Sequence, residues 1–128
     1  MSTILIIDDN ESLRASLVEI LTLELHTTLE AENGQIGLRI IRQDTPDLIV
    51  CDVDMPVING FEVLRTAKAD PICARIPLIM LTGHRDEQAL KTSRDLGVEA
   101  YLSKPIAVTE FLSTIGHFLK DKDPALLL

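Results

Sequence analysis

Short apolar runs alternate along the chain with stretches whose apolar residues recur at helical spacing. Three of the runs are rich in Ile, Leu and Val, and we predict them as strands at Thr3–Asp8, Leu48–Asp52 and Pro77–Leu81. The less apolar segment Thr27–Ala31 and the short segment Glu99–Leu102 complete a prediction of five strands. Helices are predicted after Asn10, after Asn33-Gly34, over Phe61–Ala69, over Arg85–Leu96 and after Pro105. This alternation predicts an α/β fold, a doubly wound, five-stranded parallel sheet with helices on both faces.

The last two predicted helices differ in the width of their apolar faces. The last helix carries a broad stripe that we expect to pack on the sheet: Val108, Phe111, Leu112, Ile115 and Leu119. The helix before it offers a thinner stripe of Ala89, Ser93 and Leu96, with Leu90 at its edge. Because little apolar burial leaves a small free-energy difference between alternative positions, we expect this fourth helix to shift more easily.

Length and composition fit one globular domain. The chain has 128 residues, with 46% hydrophobic and 25% charged residues. We place a single domain at residues 1–120 and a C-terminal tail at 121–128. Every apolar run is far shorter than the roughly 20 residues of a transmembrane helix, and the first residues lack the pattern of a signal peptide. Cys51 and Cys73 form neither a disulfide framework nor a metal-binding spacing, so we expect a cytoplasmic protein that does not contact a membrane.

The net charge of −8 is unevenly distributed. Residues 1–64 carry 12 acidic residues and 3 Lys or Arg, whereas residues 65–128 carry 8 acidic residues and 9 Lys or Arg. A surface that binds nucleic acid needs clustered Lys and Arg. The acidic first half therefore argues against direct nucleic-acid binding there.

Several polar residues fall where predicted strands end. Asp8-Asp9 ends the first strand, Asp52 ends the third, Thr82 follows the fourth and Lys104 follows the fifth. The carboxyl ends of parallel strands share one edge of the sheet, which is where such sheets bind ligands. Two unit charges 4 Å apart repel by about 4 kcal/mol at an effective dielectric constant of 20. The three carboxylates therefore need Lys104 and a divalent cation beside them, for which Mg²⁺ or Mn²⁺ is suited.

These motifs resemble the receiver domain of bacterial two-component response regulators. The match covers about residues 3–119 and includes Asp8-Asp9, the segment from Asp52 to Gly60, Thr82-Gly83, and Tyr101 followed by Lys104-Pro105. The resemblance implies a flavodoxin-like strand order of 2-1-3-4-5. It also implies that the domain catalyses only its own Mg²⁺-dependent phosphorylation and dephosphorylation and is otherwise not an enzyme.

The resemblance assigns a role to each matching residue. Asp52 would be the phosphoacceptor and Lys104 would contact the phosphoryl oxygens. Asp9 would bind Mg²⁺ directly and Asp8 through water, with Asp52 and the backbone carbonyl of Asp54 as further ligands. Thr82 and Tyr101 would form the switch, and Asp54 and His84 are candidates that tune the phosphoryl lifetime.

The resemblance also implies the partners. A histidine kinase or histidine phosphotransfer protein would donate the phosphoryl group. A downstream protein would dock on the face formed by helix 4, strand 5 and helix 5, where Arg85, Lys91 and Arg94 favour an acidic or amphipathic partner. The cognate kinase, the output pathway and the oligomeric state do not follow from the sequence.

Two other functions are compatible with parts of the pattern. Asp52-x-Asp54 after an apolar strand also fits phosphatases of the haloacid dehalogenase type, but these place their additional metal-binding acids after the lysine rather than before it. A receiver that only binds proteins is the second alternative, and the complete set of acids argues against it. A nucleotide-binding site lacks support because no glycine-rich loop follows the first strand.

Overall fold

The computed structural model describes residues 2–83 and 87–119. Our predictions for His84, Arg85 and the tail 121–128 lie outside the described residues. The strands are β1 (Thr3–Ile7), β2 (Thr27–Ala31), β3 (Leu48–Asp52), β4 (Leu78–Thr82) and β5 (Ala100–Ser103). The helices are α1 (Glu11–Leu23), α2 (Gly34–Asp44), α3 (Gly60–Ala69), α4 (Glu87–Asp95) and α5 (Val108–Leu119), with a short 3-10 helix at Cys73–Arg75.

Asparagine side chains begin the first three helices. Asn10, Asn33 and Asn59 each precede a helix, and each side-chain oxygen accepts a hydrogen bond from the backbone N–H three residues later. Such a cap satisfies one of the backbone donors that have no partner within a helix. The helix start predicted after Asn10 is therefore confirmed, and α2 begins at Gly34, one residue before the start predicted after Asn33-Gly34.

The predicted strand limits differ from the observed ones by at most one residue. β1 ends at Ile7 rather than Asp8, and β4 and β5 each lie one residue later than predicted. Pro77 has no N–H to donate to a ladder, whereas Thr82 is aligned with Ser103 in the β4–β5 pair. The third helix begins one residue earlier than predicted, at Gly60.

The five strands form one parallel sheet in the order β2-β1-β3-β4-β5, which confirms the predicted fold class. Side chains alternate between its two faces. Leu5 and Ile7 belong to the core layer on one face, whereas Ile4 and Ile6 belong to the layer that also contains α1 and α5 residues such as Leu17 and Phe111. Two buried layers explain why the central strands read as continuous apolar runs.

The stripe predicted for the last helix is correct except for Val108. Phe111, Ile115 and Leu119 are buried and Leu112 is half-buried, but Val108 is 49% exposed. Val108 is the first residue of α5, and the whole first turn of that helix, 108–110, is exposed. Helical spacing identifies the buried face but does not show how far along the helix the sheet covers it.

Within residues 2–83 and 87–119, no helix has the length and apolar character needed to span a membrane.

Candidate functional site: an acidic cluster at the carboxyl edge of the sheet

The acidic cluster lies where β1 and β3 end side by side. Ile7 at the end of β1 is aligned with Cys51, so Asp8 and Asp52 follow on neighbouring strands at the same level. Asp9 is the next residue along the chain. Asp8, Asp9 and Asp52 each place a carboxylate oxygen within 4.8 Å of the others. The adjacency of the paired strands thus brings together the three acids that the sequence singled out.

Two of the three acids are buried. Asp8 is 1% exposed and Asp52 is 3% exposed, whereas Asp9 is exposed. Burial raises the pKa of both Asp8 and Asp52, because removal from water disfavours the charged carboxylate. Asp8 Oδ1 accepts a hydrogen bond of 2.9 Å from the backbone N–H of Asn10. Asp8 Oδ2 accepts none within the described part of the chain.

Lys104 brings a positive charge to the cluster from the loop after β5. Its Nζ donates a hydrogen bond of 2.9 Å to Asp52 Oδ1 and lies 3.8 Å from Asp8 Oδ2. Desolvation alone would lower the pKa of Lys104, but the hydrogen bond to Asp52 and the charges of Asp52, Asp8 and Asp54 outweigh it and raise the pKa. The ammonium is therefore held in its charged form. The backbone N–H of Lys104 donates a hydrogen bond of 2.7 Å to the carbonyl of Thr82, and the peptide bond between Lys104 and Pro105 is cis.

The remaining predicted site residues surround this cluster. Thr82 is the last residue of β4 and is fully buried. Asp54 has an exposed side chain, while its backbone N–H donates a hydrogen bond to Asp52 and thereby favours the charged carboxylate. Tyr101 in β5 is half-buried and packs against the core layer that contains Met80.

Gly60 allows the loop between β3 and α3 to fold back against the phosphoacceptor candidate. Its N–H donates to the carbonyl of Val53 at 2.9 Å. A Cβ atom at this position would collide with the backbone carbonyl oxygen of Asp52 and would lie 2.8 Å from the Cα of Val53. The close approach explains the glycine at the start of α3, and it keeps the loop that carries Asp54 next to Asp52.

Sequence reasoning missed Arg14 on α1. Its Nη1 donates to the backbone carbonyl of Asp8 at 2.7 Å, and its Nε donates to Glu30 Oε1 at 3.1 Å. A single arginine on an amphipathic helix carries no signal in the sequence that distinguishes it from a solvent-exposed residue. Only the packing of α1 beside β1 and β2 reveals the contact.

The fold and this cluster together define a receiver domain. A family model described as the response regulator receiver domain matches residues 4–116, and the chain belongs to that family. Its members are signalling modules of two-component signal transduction and are typically not enzymes. Receiver domains bind Mg²⁺ at an acidic pocket.

Individual relatives cover the chain almost completely. It is 33% identical over 119 residues to the polar-differentiation response regulator DivK of Brucella anthropi, and the aligned region covers 93% of this chain and 97% of DivK. It is 34% identical over 119 residues to protein PilH of Pseudomonas aeruginosa, covering 93% of this chain and 98% of PilH. It is also 36% identical to histidine kinase P4 of Formosa agariphila over 121 residues, which are 94% of this chain but only 9% of that kinase.

Solved structures agree with the sequence relatives. The chemotaxis protein CheY4 of Vibrio cholerae has a TM-score of 0.88 at 26% identity, and the match covers 93% of this chain and 99% of CheY4. A response regulator receiver domain protein of Clostridium thermocellum has a TM-score of 0.88 at 28% identity, with both chains covered completely. This chain is therefore similar both to proteins of its own length and to a segment of a much longer kinase.

Proposed function

We propose that this receiver domain accepts a phosphoryl group on Asp52 from a phosphohistidine of a histidine kinase or histidine phosphotransfer protein. The observation that carries the proposal is the hydrogen bond of 2.9 Å from Lys104 Nζ to Asp52 Oδ1, inside a cluster with two further acids. A carboxylate held by a fixed cation at the edge of a sheet is suited to act as a nucleophile.

The reaction needs a nucleophile and a set of groups that offset negative charge. A carboxylate oxygen of Asp52 attacks the phosphorus and forms the new P–O bond. The P–N bond to the donor histidine breaks, and its electron pair stays on the ring nitrogen. Lys104 contacts the oxygens of the transferring group, and the Thr82 hydroxyl donates a further hydrogen bond to them.

The residues present suit Mg²⁺, and Mn²⁺ makes similar demands on its ligands. Asp9 and Asp52 would hold the ion directly, Asp8 would hold it through water, and the Asp54 carbonyl would complete the protein ligands. Two buried carboxyl groups with raised pKa values and an Asp8 oxygen without a hydrogen bond among the described residues favour a bound cation. When bound, the ion offsets the charge of the acids and of the phosphoryl oxygens.

Phosphorylation would change the face formed by α4, β5 and α5. A phosphoryl group adds about −1.5 to −2 charges beside Thr82, which would move toward it while Tyr101 turns inward. Lys91 and Arg94 are exposed on α4 and would meet an acidic or amphipathic downstream partner. Asp54, whose side chain is exposed, and His84 are candidates that tune how long the acyl phosphate lasts.

The test of the phosphoacceptor is intact-mass spectrometry after incubation with Mg²⁺ and acetyl phosphate. We expect a single phosphoryl adduct that requires Mg²⁺ and is absent in Asp52→Asn. Asp54→Asn is the matched control, because it removes a nearby carboxylate but leaves the backbone carbonyl in place, and it should still form the adduct. An adduct that persists in Asp52→Asn contradicts the assignment. Turnover of p-nitrophenyl phosphate would favour a phosphatase instead.

The test of the switch is a comparison of backbone amide chemical shifts with and without beryllofluoride, a stable mimic of the phosphoryl group. We expect shifts around Asp52 and also along α4, β5 and α5. Lys91→Glu/Arg94→Glu should leave these shifts in place but weaken binding of the downstream partner, whereas Arg65→Glu on the exposed face of α3 should not. Shifts confined to the immediate surroundings of Asp52 would contradict the proposed switch.

A further inference from the structure

Arg14 connects the acidic cluster with the edge strand of the sheet. Its guanidinium donates one hydrogen bond to the backbone carbonyl of Asp8, at 2.7 Å, and another to Glu30 Oε1 on β2, at 3.1 Å. The Arg14 side chain is 14% exposed, so most of it is packed against the protein. Because a guanidinium is planar and its N–H groups point in fixed directions, two acceptors hold it in one orientation.

The carbonyl that Arg14 contacts belongs to the peptide group between Asp8 and Asp9. The backbone N–H of Asp8 donates to the carbonyl of Ala31 at 3.1 Å, just beyond the last residue of β1. The next peptide group leaves the sheet and turns toward α1. Since a peptide group is planar, fixing its oxygen fixes the rotation of the whole group, and with it the position of the Asp9 Cα from which the side chain leaves the backbone.

We propose that Arg14 is a positioning residue for the Mg²⁺ ligands Asp8 and Asp9. It acts through the Asp8–Asp9 peptide group, and Glu30 holds it in place from β2. This inference rests on the proposed function, because it takes these two acids as ligands of the ion. The edge strand β2 carries no predicted site residue, but through Glu30 it would help to hold the Mg²⁺ ligands in position.

The charge of Arg14 and its geometry have opposite effects on Mg²⁺ affinity. A cation beside the cluster repels Mg²⁺, so removing its charge should tighten Mg²⁺ binding if charge alone matters. If Arg14 holds the ligands in position, removing it should weaken binding instead, because residues that orient metal ligands typically contribute about 10- to 100-fold to affinity. The direction of the change therefore separates the two roles.

The experiment is isothermal titration calorimetry of the full chain with MgCl₂, with wild type, Arg14→Gln, Arg14→Lys and Arg42→Gln. We expect a Kd about 10-fold or more weaker in Arg14→Gln. Arg14→Lys should also bind more weakly, because an ammonium keeps the charge but lacks the planar fork. Arg42 is the matched control: its charge acts on Asp70 and Cys73 rather than on the cluster, and Arg42→Gln should bind like wild type.

Urea unfolding of the same proteins without Mg²⁺ separates positioning from a merely structural role. A structural role lowers the free energy of unfolding of Arg14→Gln and leaves the Kd of the folded protein unchanged, and that result overturns the proposal. An equal or tighter Kd in Arg14→Gln also overturns it. Full recovery in Arg14→Lys would contradict the role of the guanidinium fork, because a single ammonium donor would then position the ligands equally well. If wild type itself does not bind Mg²⁺, the metal site of the proposed function fails, which is a different result from an unaltered Arg14→Gln.

Glu30→Gln provides a second variant if Arg14→Gln does not fold. It replaces the carboxylate that accepts from Arg14 Nε–H by a neutral amide, whose oxygen holds the guanidinium more weakly, so we expect a smaller loss of Mg²⁺ affinity. Where Arg14→Gln does fold, adding Glu30→Gln to it should bring no further loss, because Glu30 acts through Arg14. Additive losses in the double variant, or an unchanged Kd in Glu30→Gln, would contradict the role of β2.

Discussion

Asp8 carries its carboxylate in a place that disfavours the charge. The side chain is 1% exposed, and Oδ2 accepts no hydrogen bond among the described residues. We expect Asp8→Asn to raise the free energy of unfolding by about 1 kcal/mol at pH 7 without divalent ions, because it removes a buried charge beside Asp52. Urea denaturation measures this. The exposed neighbour gives the control: Asp9→Asn should change stability by less than about 0.5 kcal/mol.

The pH dependence of that gain follows from the raised pKa of Asp8. A carboxyl group whose pKa is higher in the folded than in the unfolded chain destabilises the fold at pH values above its unfolded pKa. The destabilisation disappears as the pH falls toward the ordinary value of 3.8, where both states become protonated. The advantage of Asp8→Asn should therefore be largest near pH 7 and shrink toward pH 4. An advantage that grows as the pH falls would contradict this account.

Val57 has an unfavourable backbone conformation in the loop between β3 and α3. Its φ is +68°, a region that β-branched residues rarely adopt, and its side chain is 93% exposed. The left-handed conformation costs an L-residue about 1–2 kcal/mol, and the greater chain entropy that glycine loses on folding offsets part of this. We expect Val57→Gly to raise the free energy of unfolding by about 1 kcal/mol in a urea titration. Val108→Gly, at an exposed valine in α5, should bring no gain.

At the scale of elements, Lys68 and Glu99 join α3 to the starts of β4 and β5. Lys68 Nζ donates to Glu99 Oε2 at 2.8 Å and to the carbonyls of Ala74 and Ile76, and Glu99 Oε1 accepts from the N–H of Leu78 at 2.7 Å. The side chains are 16% and 28% exposed, so removing one leaves polar groups without partners in a partly buried place.

We expect Lys68→Met to lower the free energy of unfolding by about 2 kcal/mol, because Met replaces the hydrocarbon part of the lysine but none of its hydrogen bonds. Urea denaturation measures this change, provided that the free energy of unfolding depends on urea concentration with the same slope in both proteins. Arg65→Met, on the exposed side of the same helix, is the control and should be nearly neutral. Equal effects of the two variants would mean that the Lys68 network contributes nothing specific.

Helix α4 buries a hydroxyl group against the rest of the domain. Ser93 is fully buried, and its Oγ has no hydrogen-bond partner within residues 2–83 and 87–119. We expect Ser93→Ala to raise the free energy of unfolding by about 1 kcal/mol and to slow amide hydrogen exchange in α4, because it removes an unsatisfied polar group. Ser113→Ala in α5 is exposed and gains only the higher helix propensity of alanine, so it should have the smaller effect. A larger gain at Ser113 would contradict the role of burial.

For the whole molecule, the fold followed from the sequence because the central strands β1, β3 and β4 of a doubly covered sheet are apolar along nearly all of their length and each helix has one apolar face. The meeting of Asp8, Asp52 and Lys104 followed from the same rule, since parallel strands place their carboxyl ends at one edge. The roles assigned to these residues remain predictions that the experiments above address.

Features that depend on side-chain packing could not be predicted. Periodicity places Val108 on the apolar stripe of α5 but does not reveal where the sheet stops covering that helix, and Val108 is exposed. Lys68 and Glu99 are 31 residues apart, and Arg14 and Glu30 are 16 residues apart. Such pairs have no local signature, and only the packing of helices against neighbouring strands brings them into contact.

Mg²⁺ should reverse the order of stability of wild type and Asp8→Asn. Without the ion, Asp8→Asn should be more stable than wild type, because it has one buried charge fewer. A ligand that binds only the folded state stabilises it by RT ln(1 + [L]/Kd), which is about 2.7 kcal/mol at 100 times the Kd. Wild type gains this stabilisation in full, whereas Asp8→Asn has lost a carboxylate that would hold the ion through water and gains less.

The melting temperatures of wild type and Asp8→Asn, measured against MgCl₂ concentration, should therefore cross. Asp9→Asn is not more stable than wild type without the ion, and it lacks a residue that would bind the ion directly. Its melting temperature should therefore stay below that of wild type at all MgCl₂ concentrations above the Kd. Parallel curves for wild type and Asp8→Asn would show that Asp8 does not contribute to ion binding. A crossing would show that the same carboxylate destabilises the fold without the ion and contributes to binding when the ion is present.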